Sequence, residues 1–275
     1  MTPTIAFIGG GNMARSLIGG LIAHDHPASQ IHVADPNPET RRQLQTDFGI
    51  IAAADNHRAF NAGDVVVLAV KPQQLRQVCQ DLSPLTQTHR PLFISIAAGL
   101  RCADISRWLN ADIALVRSMP NTPALLGAGA TGLFANPQVT AAQRGAAEAI
   151  LSAVGHCHWV DDETLIDAIA AISGSGPAYF FLFIEALSQA GHALGLTAAA
   201  AEQLAVQTAL GAARMAAETG RSARTLRQHV TSPGGTTERA LQVFEQGDLI
   251  GLAAAATRAA HRRAGELAEQ LGADA

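Results

Sequence analysis

The sequence predicts an α/β protein in two parts: an N-terminal doubly wound parallel sheet over residues 1–160, followed by an all-helical dimerisation domain over residues 161–275. Three observations carry that expectation. Short apolar runs of strand type alternate with helix-period segments through the first half, as in a chain of βαβ units. A glycine-rich turn, Gly9-Gly10-Gly11-Asn12-Met13-Ala14, joins the first of those runs to the first helix. After Asp161-Asp162-Glu163 the strand-type runs stop and the rest of the chain is helical in period.

Composition bounds the class. With 275 residues, 48% of them hydrophobic and only 15% charged, the chain can bury one large core or two modest ones. A net charge of −4 offers no electrostatic case for nucleic acid or an anionic membrane. Cys79, Cys102 and Cys157 form no CxxC pair and are odd in number, so free thiols in a reducing cytoplasm are expected. No basic leader precedes the first strand, and the strongest apolar run, residues 178–184, is too short to cross a bilayer. Lys71 is the only lysine, so any mechanism that needs one must use it.

Residues 4–8 read as a buried strand, and the turn after them, GxGxxA, opens a helix carrying Leu17, Ile18 and Leu21. In that context it is a Rossmann-type dinucleotide fingerprint: Gly9 for the tight turn, Gly11 for close approach of a pyrophosphate, Ala14 for helix packing on the sheet. The second strand, residues 31–34, ends at Asp35, where an acidic residue would bond the adenosine ribose of NAD. Arg41 and Arg42 follow and could instead neutralise a 2′-phosphate or face solvent, which leaves NADH against NADPH open.

Three further strands, residues 64–70, 92–96 and 113–116, run into small turns: Lys71-Pro72, Ala97-Ala98-Gly99, and Met119-Pro120-Asn121-Thr122-Pro123. Ligands of open parallel sheets bind outside such carboxyl ends, so these turns should line the nicotinamide half of the groove, with Lys71 near the ribose or phosphates. Strands at residues 131–134 and 156–160 flank a helix at 141–153. His156 and His158 share one strand face, but with no third ligand nearby no metal site is expected.

In the helical half, Ser173-Gly174-Ser175-Gly176-Pro177 reads as a break, with Ser175 and Pro177 as cap and first-turn residues of a helix that is apolar nearly all round. A second helix carries Leu204, Thr208, Gly211 and Met215 to about Gly220, and Ser222 caps a short one reaching Val230. Thr231-Ser232-Pro233-Gly234-Gly235-Thr236-Thr237 then opens onto a helix N-terminus, whose amides and dipole suit a small carboxylate. A last helix carries Leu249, Leu252, Ala256, Ala260 and Leu267. So much apolar helix surface is hard to enclose in one monomer, and homodimerisation through this half accounts for it.

The motifs FIGGGNMA, AVKP, SIAAG, MPNTP, SGSGPAY and TSPGGTT occur in one order along the whole chain. That set resembles pyrroline-5-carboxylate reductase, which reduces the cyclic imine of 1-pyrroline-5-carboxylate with NAD(P)H in the last step of proline biosynthesis. The resemblance implies a Rossmann-type cofactor domain and a helical domain that interleaves with a partner's, in dimers often assembled into decamers. It implies NADPH as cofactor, with NADH also compatible. Gly9, Gly11, Asn12, Met13 and Ala14 would hold the pyrophosphate, and Asn56, Ala69, Val70, Lys71, Pro72, Ala97, Ala98 and Gly99 the rest, with Asn121 and Pro123 beside the nicotinamide. The implied substrate residues are Glu163, Ser232, Gly234, Gly235, Thr236 and Thr237, with the partner's helical domain contributing to each site. Two positions depart from the family: Asp35 stands where a small hydroxyl residue is common, and His229 where some relatives have an asparagine.

Imine reduction is chiefly a positioning problem, because a protonated imine is already electrophilic. The loop amides would take the carboxylate, and the Thr237 hydroxyl is the candidate partner of the ring nitrogen; its bland role is a helix N-cap. Tyr179, the only tyrosine, reads as a packing residue. The competing readings are a β-hydroxyacid dehydrogenase, whose usual second-domain lysine is absent here, and a non-catalytic dinucleotide-binding regulatory protein.

Overall fold

The computed structural model describes residues 2–273. Among these, eight strands form one sheet in the order β3-β2-β1-β4-β5-β6-β7-β8: β1 (Ile5–Ile8), β2 (Ile31–Ala34), β3 (Ile51–Ala53), β4 (Val65–Leu68), β5 (Leu92–Ser95), β6 (Leu115–Met119), β7 (Gly129–Ala135) and β8 (Gly155–Val160). Pairing is parallel throughout except between β6 and β7. The strand order reverses between β1 and β4, and the carboxyl ends there form the crevice in which such sheets bind ligands.

Side chains alternate across the sheet and bury on both faces. Ile5 and Phe7 of β1, Val65 and Val67 of β4, and Leu92 and Ile94 of β5 meet α1 (Asn12–Ala23), α2 (Pro38–Phe48) and α6 (Ala141–Ser152) through Leu17, Leu44 and Ile150. Ala6, Ile8, Val66, Leu68 and Phe93 face α3 (Asn56–Ala62), α4 (Pro72–Leu82) and α5 (Cys102–Leu109), where Phe60, Leu75 and Ile105 complete the second layer. This two-sided burial is why these strands read as continuous apolar runs.

The described chain divides into two compact units, one ending at Ser175 and taking back the chain from Ala260, the other Gly176–Ala259. The division falls later than the 160/161 boundary expected from composition, for a physical reason. In α7 (Leu165–Ile169) and the residues before it, Glu163 and Asp167 grip Arg117 of β6, and Ile169 covers Gly132 so closely that a Cβ there would lie 2.5 Å from it. The return of the C-terminus was not anticipated. The end of α12 (Leu249–Gly272) packs Leu271 into the second core layer, and the Arg107 guanidinium donates to the Gly272 carbonyl at 2.7 Å.

The second unit holds α8 (Gly176–Ala193), α9 (Ala198–Glu218), α10 (Ala223–His229) and α11 (Thr236–Gln246). The expected break at 173–177 is instead a π-helical turn, Ala170–Gly174, after which Ser175 keeps right-handed helical angles and so does not act as an N-cap. The helical run Leu165–Ala193 is long and apolar enough, by length and composition, to cross a bilayer. Its second part exposes Phe180, Phe181 and Leu182. After the TSPGGTT loop, α11 and α12 are separated where Asp248 turns the chain with φ of 48°.

Candidate active site

The expected cofactor residues lie on the first unit. Gly9 leaves β1 with φ of 102°, and its N–H donates to the Ala34 carbonyl at 2.8 Å. A Cβ at this position would sit 2.7 Å from the Ala69 carbonyl oxygen, so glycine lets the ends of β1 and β4 close on each other. Gly11 is the N-cap of α1, and a Cβ there would meet nothing within 4 Å. Space is thus left directly above the first amides of α1, those of Asn12, Met13 and Ala14, and no acidic residue stands in that turn. Ala14 is buried against the sheet. Open space, free-ended helix amides and a first helical turn without an acidic residue together fit an anionic pyrophosphate.

At the end of β2, the Asp35 carboxylate accepts from the Gly10 N–H at 2.8 Å and from the Asn37 N–H at 2.8 Å. Asn56 is the first residue of α3, after the Asp55 side chain that caps it. Ala69 and Val70 follow β4, Lys71 is the exposed N-cap residue of α4, and Pro72 occupies its first turn. Ala97 is buried, Ala98 exposed, and Gly99 turns with φ of 74° under Leu267 and Leu271 of α12. Since β4, β5 and β6 are parallel, the turns after them share one edge of the sheet. A cleft of about 320 Å³ opens there, lined by Pro72, Gly99, Arg117, Met119, Asp167 and Leu267 among others. Pro123 lies in a 3₁₀ turn after β6.

Asn121 plays a part the sequence did not show. It is buried, its amide nitrogen donates to the Ser173 carbonyl at 2.9 Å, and its oxygen accepts from the Ala130 N–H at 2.9 Å. It therefore ties the β6 turn to the π turn and to β7. Glu163 is similarly engaged: its Oε1 accepts from the Cys102 N–H at 2.8 Å and from Arg117 at 3.3 Å, while Arg117 also reaches Asp167 at 2.9 Å. Arg117 and Asp167 were missed from the sequence. The available signal was an arginine inside a strand whose neighbours are apolar, which demands buried counter-charges. Beside this cluster, burial and then the Glu163 carboxylate push the Cys102 thiol well above its ordinary range.

The expected substrate loop lies on the second unit. Gly235 N–H donates to the Ser232 carbonyl at 3.0 Å, Gly234 adopts φ of 72°, and Gly235 itself is the N-cap of α11, with no side-chain cap. Thr236 and Thr237 are therefore the first two helical residues, and Thr237 is not the cap. Ser232 and Thr236 are exposed and Thr237 is half-buried. The Gly234 N–H donates to the Glu238 carboxylate at 2.9 Å, so this loop already holds one carboxylate of its own chain. His229 lies 3.2 Å from Arg221 through its Nδ1.

Residues 163–267 match the family model for pyrroline-5-carboxylate reductase dimerisation, and residues 4–99 match one described as NADP oxidoreductase coenzyme F420-dependent. The chain is 52% identical over 271 residues to a pyrroline-5-carboxylate reductase of Pseudomonas aeruginosa, covering 98% of this chain and 99% of that one. Among solved structures, a pyrroline-5-carboxylate reductase from Coxiella burnetii superposes with a TM-score of 0.94 at 48% identity, covering 97% and 99% of the two chains. The pyrroline carboxylate reductase of Plasmodium falciparum, solved with NADP bound, gives 0.84 at 26% identity over 97% and 98%. With 52% identity to one named reductase over nearly the full length of both chains and the fold of another, this chain belongs to the pyrroline-5-carboxylate reductase family.

Proposed function

We propose that this protein reduces 1-pyrroline-5-carboxylate to L-proline with NAD(P)H, and that the residues assigned from the sequence carry the reaction. The observation that supports this most is the open cradle over Gly11 and the first amides of α1, in a chain so similar along its whole length to named reductases. The reduced nicotinamide supplies a hydride from C4 to the imine carbon. Asn12, Met13 and Ala14 bind the pyrophosphate through their amides, with Asp35 and Asn56 toward the adenosine. Ala69, Val70, Lys71 and Pro72, with Ala97, Ala98 and Gly99, line the path to the nicotinamide, where Asn121 and Pro123 shape the last turn.

On the substrate side, Ser232, Gly234, Gly235 and Thr236 hold the carboxylate through the loop and the α11 N-terminus. In this reading the substrate carboxylate takes the place of Glu238 on the Gly234 amide. The Thr237 hydroxyl bonds the ring nitrogen and orients the imine, and its freedom from N-cap duty supports that role. Glu163 acts through Arg117 and the Cys102 turn, supporting the site's framework.

A homodimer through the helical half, with the partner's helical domain completing each site, is supported by the exposed Phe180, Phe181 and Leu182 and by the dimerisation family model. The resemblance further supports association of five dimers into a decamer, and the three free thiols support a cytoplasmic location. Purified protein mixed with 1-pyrroline-5-carboxylate and NADH or NADPH should consume the reduced nucleotide. Absence of consumption with both nucleotides at micromolar enzyme would refute the reading.

A further inference from the structure

The turn after β5 cannot hold itself in place through its side chains. Ala97, Ala98 and Gly99 carry nothing larger than a methyl group, so the course of their backbone depends on what packs against it. Gly99 turns with φ of 74°, and a Cβ built on it would lie 3.2 Å from Leu271 Cδ1, 3.6 Å from Leu267 Cβ and 3.8 Å from the Ala268 amide nitrogen. The last turns of α12 therefore lie directly on this turn. Leu267 and Leu271 are four residues apart and share one face of the helix, and Ala268 beside them, 3% exposed, lets the helix backbone come close. The helix end is anchored on α5. Arg107 donates through Nη2 to the Gly272 carbonyl at 2.7 Å, and a Cβ at Gly272 would lie 2.6 Å from the Asp104 carboxylate. Leu271 packs on the second core layer, whereas Leu267 keeps 37% of its surface exposed. Both leucines line the cleft of about 320 Å³ together with Pro72, Ala98, Gly99 and Met119.

We propose that Leu267 and Leu271 are positioning residues for hydride transfer: they clamp the Ala97–Gly99 turn in the place from which its backbone holds the nicotinamide half of the cofactor. The inference rests on the reductase reading and adds to its site an element from the far end of the chain. None of the atoms nearest to Gly9 or Gly10 belongs to α12, so the pyrophosphate cradle has no share in this contact. The two halves of the cofactor should therefore respond differently when the clamp is loosened. A misplacement of about 1 Å at the reacting atoms can cost roughly 100-fold in rate, so the effect should fall on the nicotinamide and on turnover.

The test uses the full chain carrying Leu267→Ala, Leu271→Ala or the conservative Leu271→Met. Calorimetric titration with the more tightly bound of NADH and NADPH is compared with titration by the matching fragment without nicotinamide, ADP-ribose or its 2′-phosphate. Turnover of 1-pyrroline-5-carboxylate is followed with and without deuterium at the transferable C4 position. In both alanine variants the fragment should bind within about twofold of wild type, the whole nucleotide roughly fivefold more weakly or worse, and kcat should fall roughly tenfold or more with a larger isotope effect. Leu271→Met should stay close to wild type in all of these. Equal weakening of fragment and whole nucleotide would overturn the inference, because the leucines would then serve only the stability of the fold, and so would wild-type kcat in both alanine variants. If Leu271→Ala does not fold, Leu267→Ala, at the more exposed position, decides by the same comparison. Wild type that binds the nucleotide without consuming it would overturn the reductase reading, while the two titrations would still decide whether the clamp exists.

Discussion

Replacing Arg117 with methionine should destabilise the first unit by about 3 kcal/mol, and the structure explains both the sign and the size. The guanidinium is only 3% exposed and bridges Glu163 at 3.3 Å and Asp167 at 2.9 Å. Removing one partner of a buried ion pair typically costs about 3–5 kcal/mol, because the remaining charge is left without compensation. Glu163 is 21% exposed and regains some hydration, whereas Asp167 at 11% regains less, which places the expectation at the lower end. That is a large share of the roughly 5–15 kcal/mol by which domains are stable. Both tryptophans, Trp108 and Trp159, belong to the first unit, so urea unfolding followed by tryptophan fluorescence reports on it. Arg117→Lys keeps the charge but loses the fork and should fall between the two. The double variant Arg117→Met with Asp167→Leu should recover about 1–2 kcal/mol by removing both ends of the pair. If Arg117→Met unfolds within about 1 kcal/mol of wild type, the claim that this cluster holds α7 to the sheet is wrong.

Three other predictions follow from named positions. Gly11→Val should leave thermal stability within about 0.5 kcal/mol, since its Cβ meets nothing, yet weaken nucleotide binding tenfold or more; Gly9→Val should cost about 2–4 kcal/mol from its positive φ and the clash with Ala69. Calorimetry and nucleotide titration of the two variants separate these effects. Thr237→Ala should lower kcat roughly 10- to 100-fold with unchanged unfolding, because Gly235 rather than Thr237 caps α11; wild-type turnover would remove the hydroxyl from the mechanism. Burial pushes the Cys79 thiol up to about 12, above its unfolded value near 9. Folding therefore keeps the proton, and the associated stability is complete below pH 9 and declines as pH rises toward 12, by up to about 1.4 kcal/mol per pH unit. Unfolding free energies between pH 8 and 10 should show a shallower decline in Cys79→Ala than in wild type.

How much of this was legible in the sequence depends on the length scale of the causes. The glycine turn and the buried strands were visible because their signals are local: a period, a spacing and a residue type. β3 was missed since it has three residues and an exposed Ile51, leaving no alternation to detect. The start of β6 was misplaced by two residues for a non-local reason. Asn136, twenty-odd residues on, donates to the Ile113 carbonyl and accepts from the Leu115 N–H, so a side chain satisfies backbone groups that looked like strand. Arg117 in turn interrupts the apolar run and hid the strand's continuation to Met119. The π turn in place of a break, the return of α12 to the sheet and the duties of Asn121 and Glu163 depend on partners more than forty residues away. Candidate residues could be named from the sequence, but which of them also hold the framework together could be read only from the folded chain.

The central claim is hydride transfer to a cyclic imine, and isotope tracing tests it most directly. Reduced nicotinamide carrying deuterium at the transferable C4 position should be incubated with 1-pyrroline-5-carboxylate and this enzyme, and the product examined by mass spectrometry and NMR. The account predicts proline bearing one deuterium on the former imine carbon, with oxidised nucleotide formed in equal amount. Unlabelled proline, or nucleotide oxidation without proline, would contradict it.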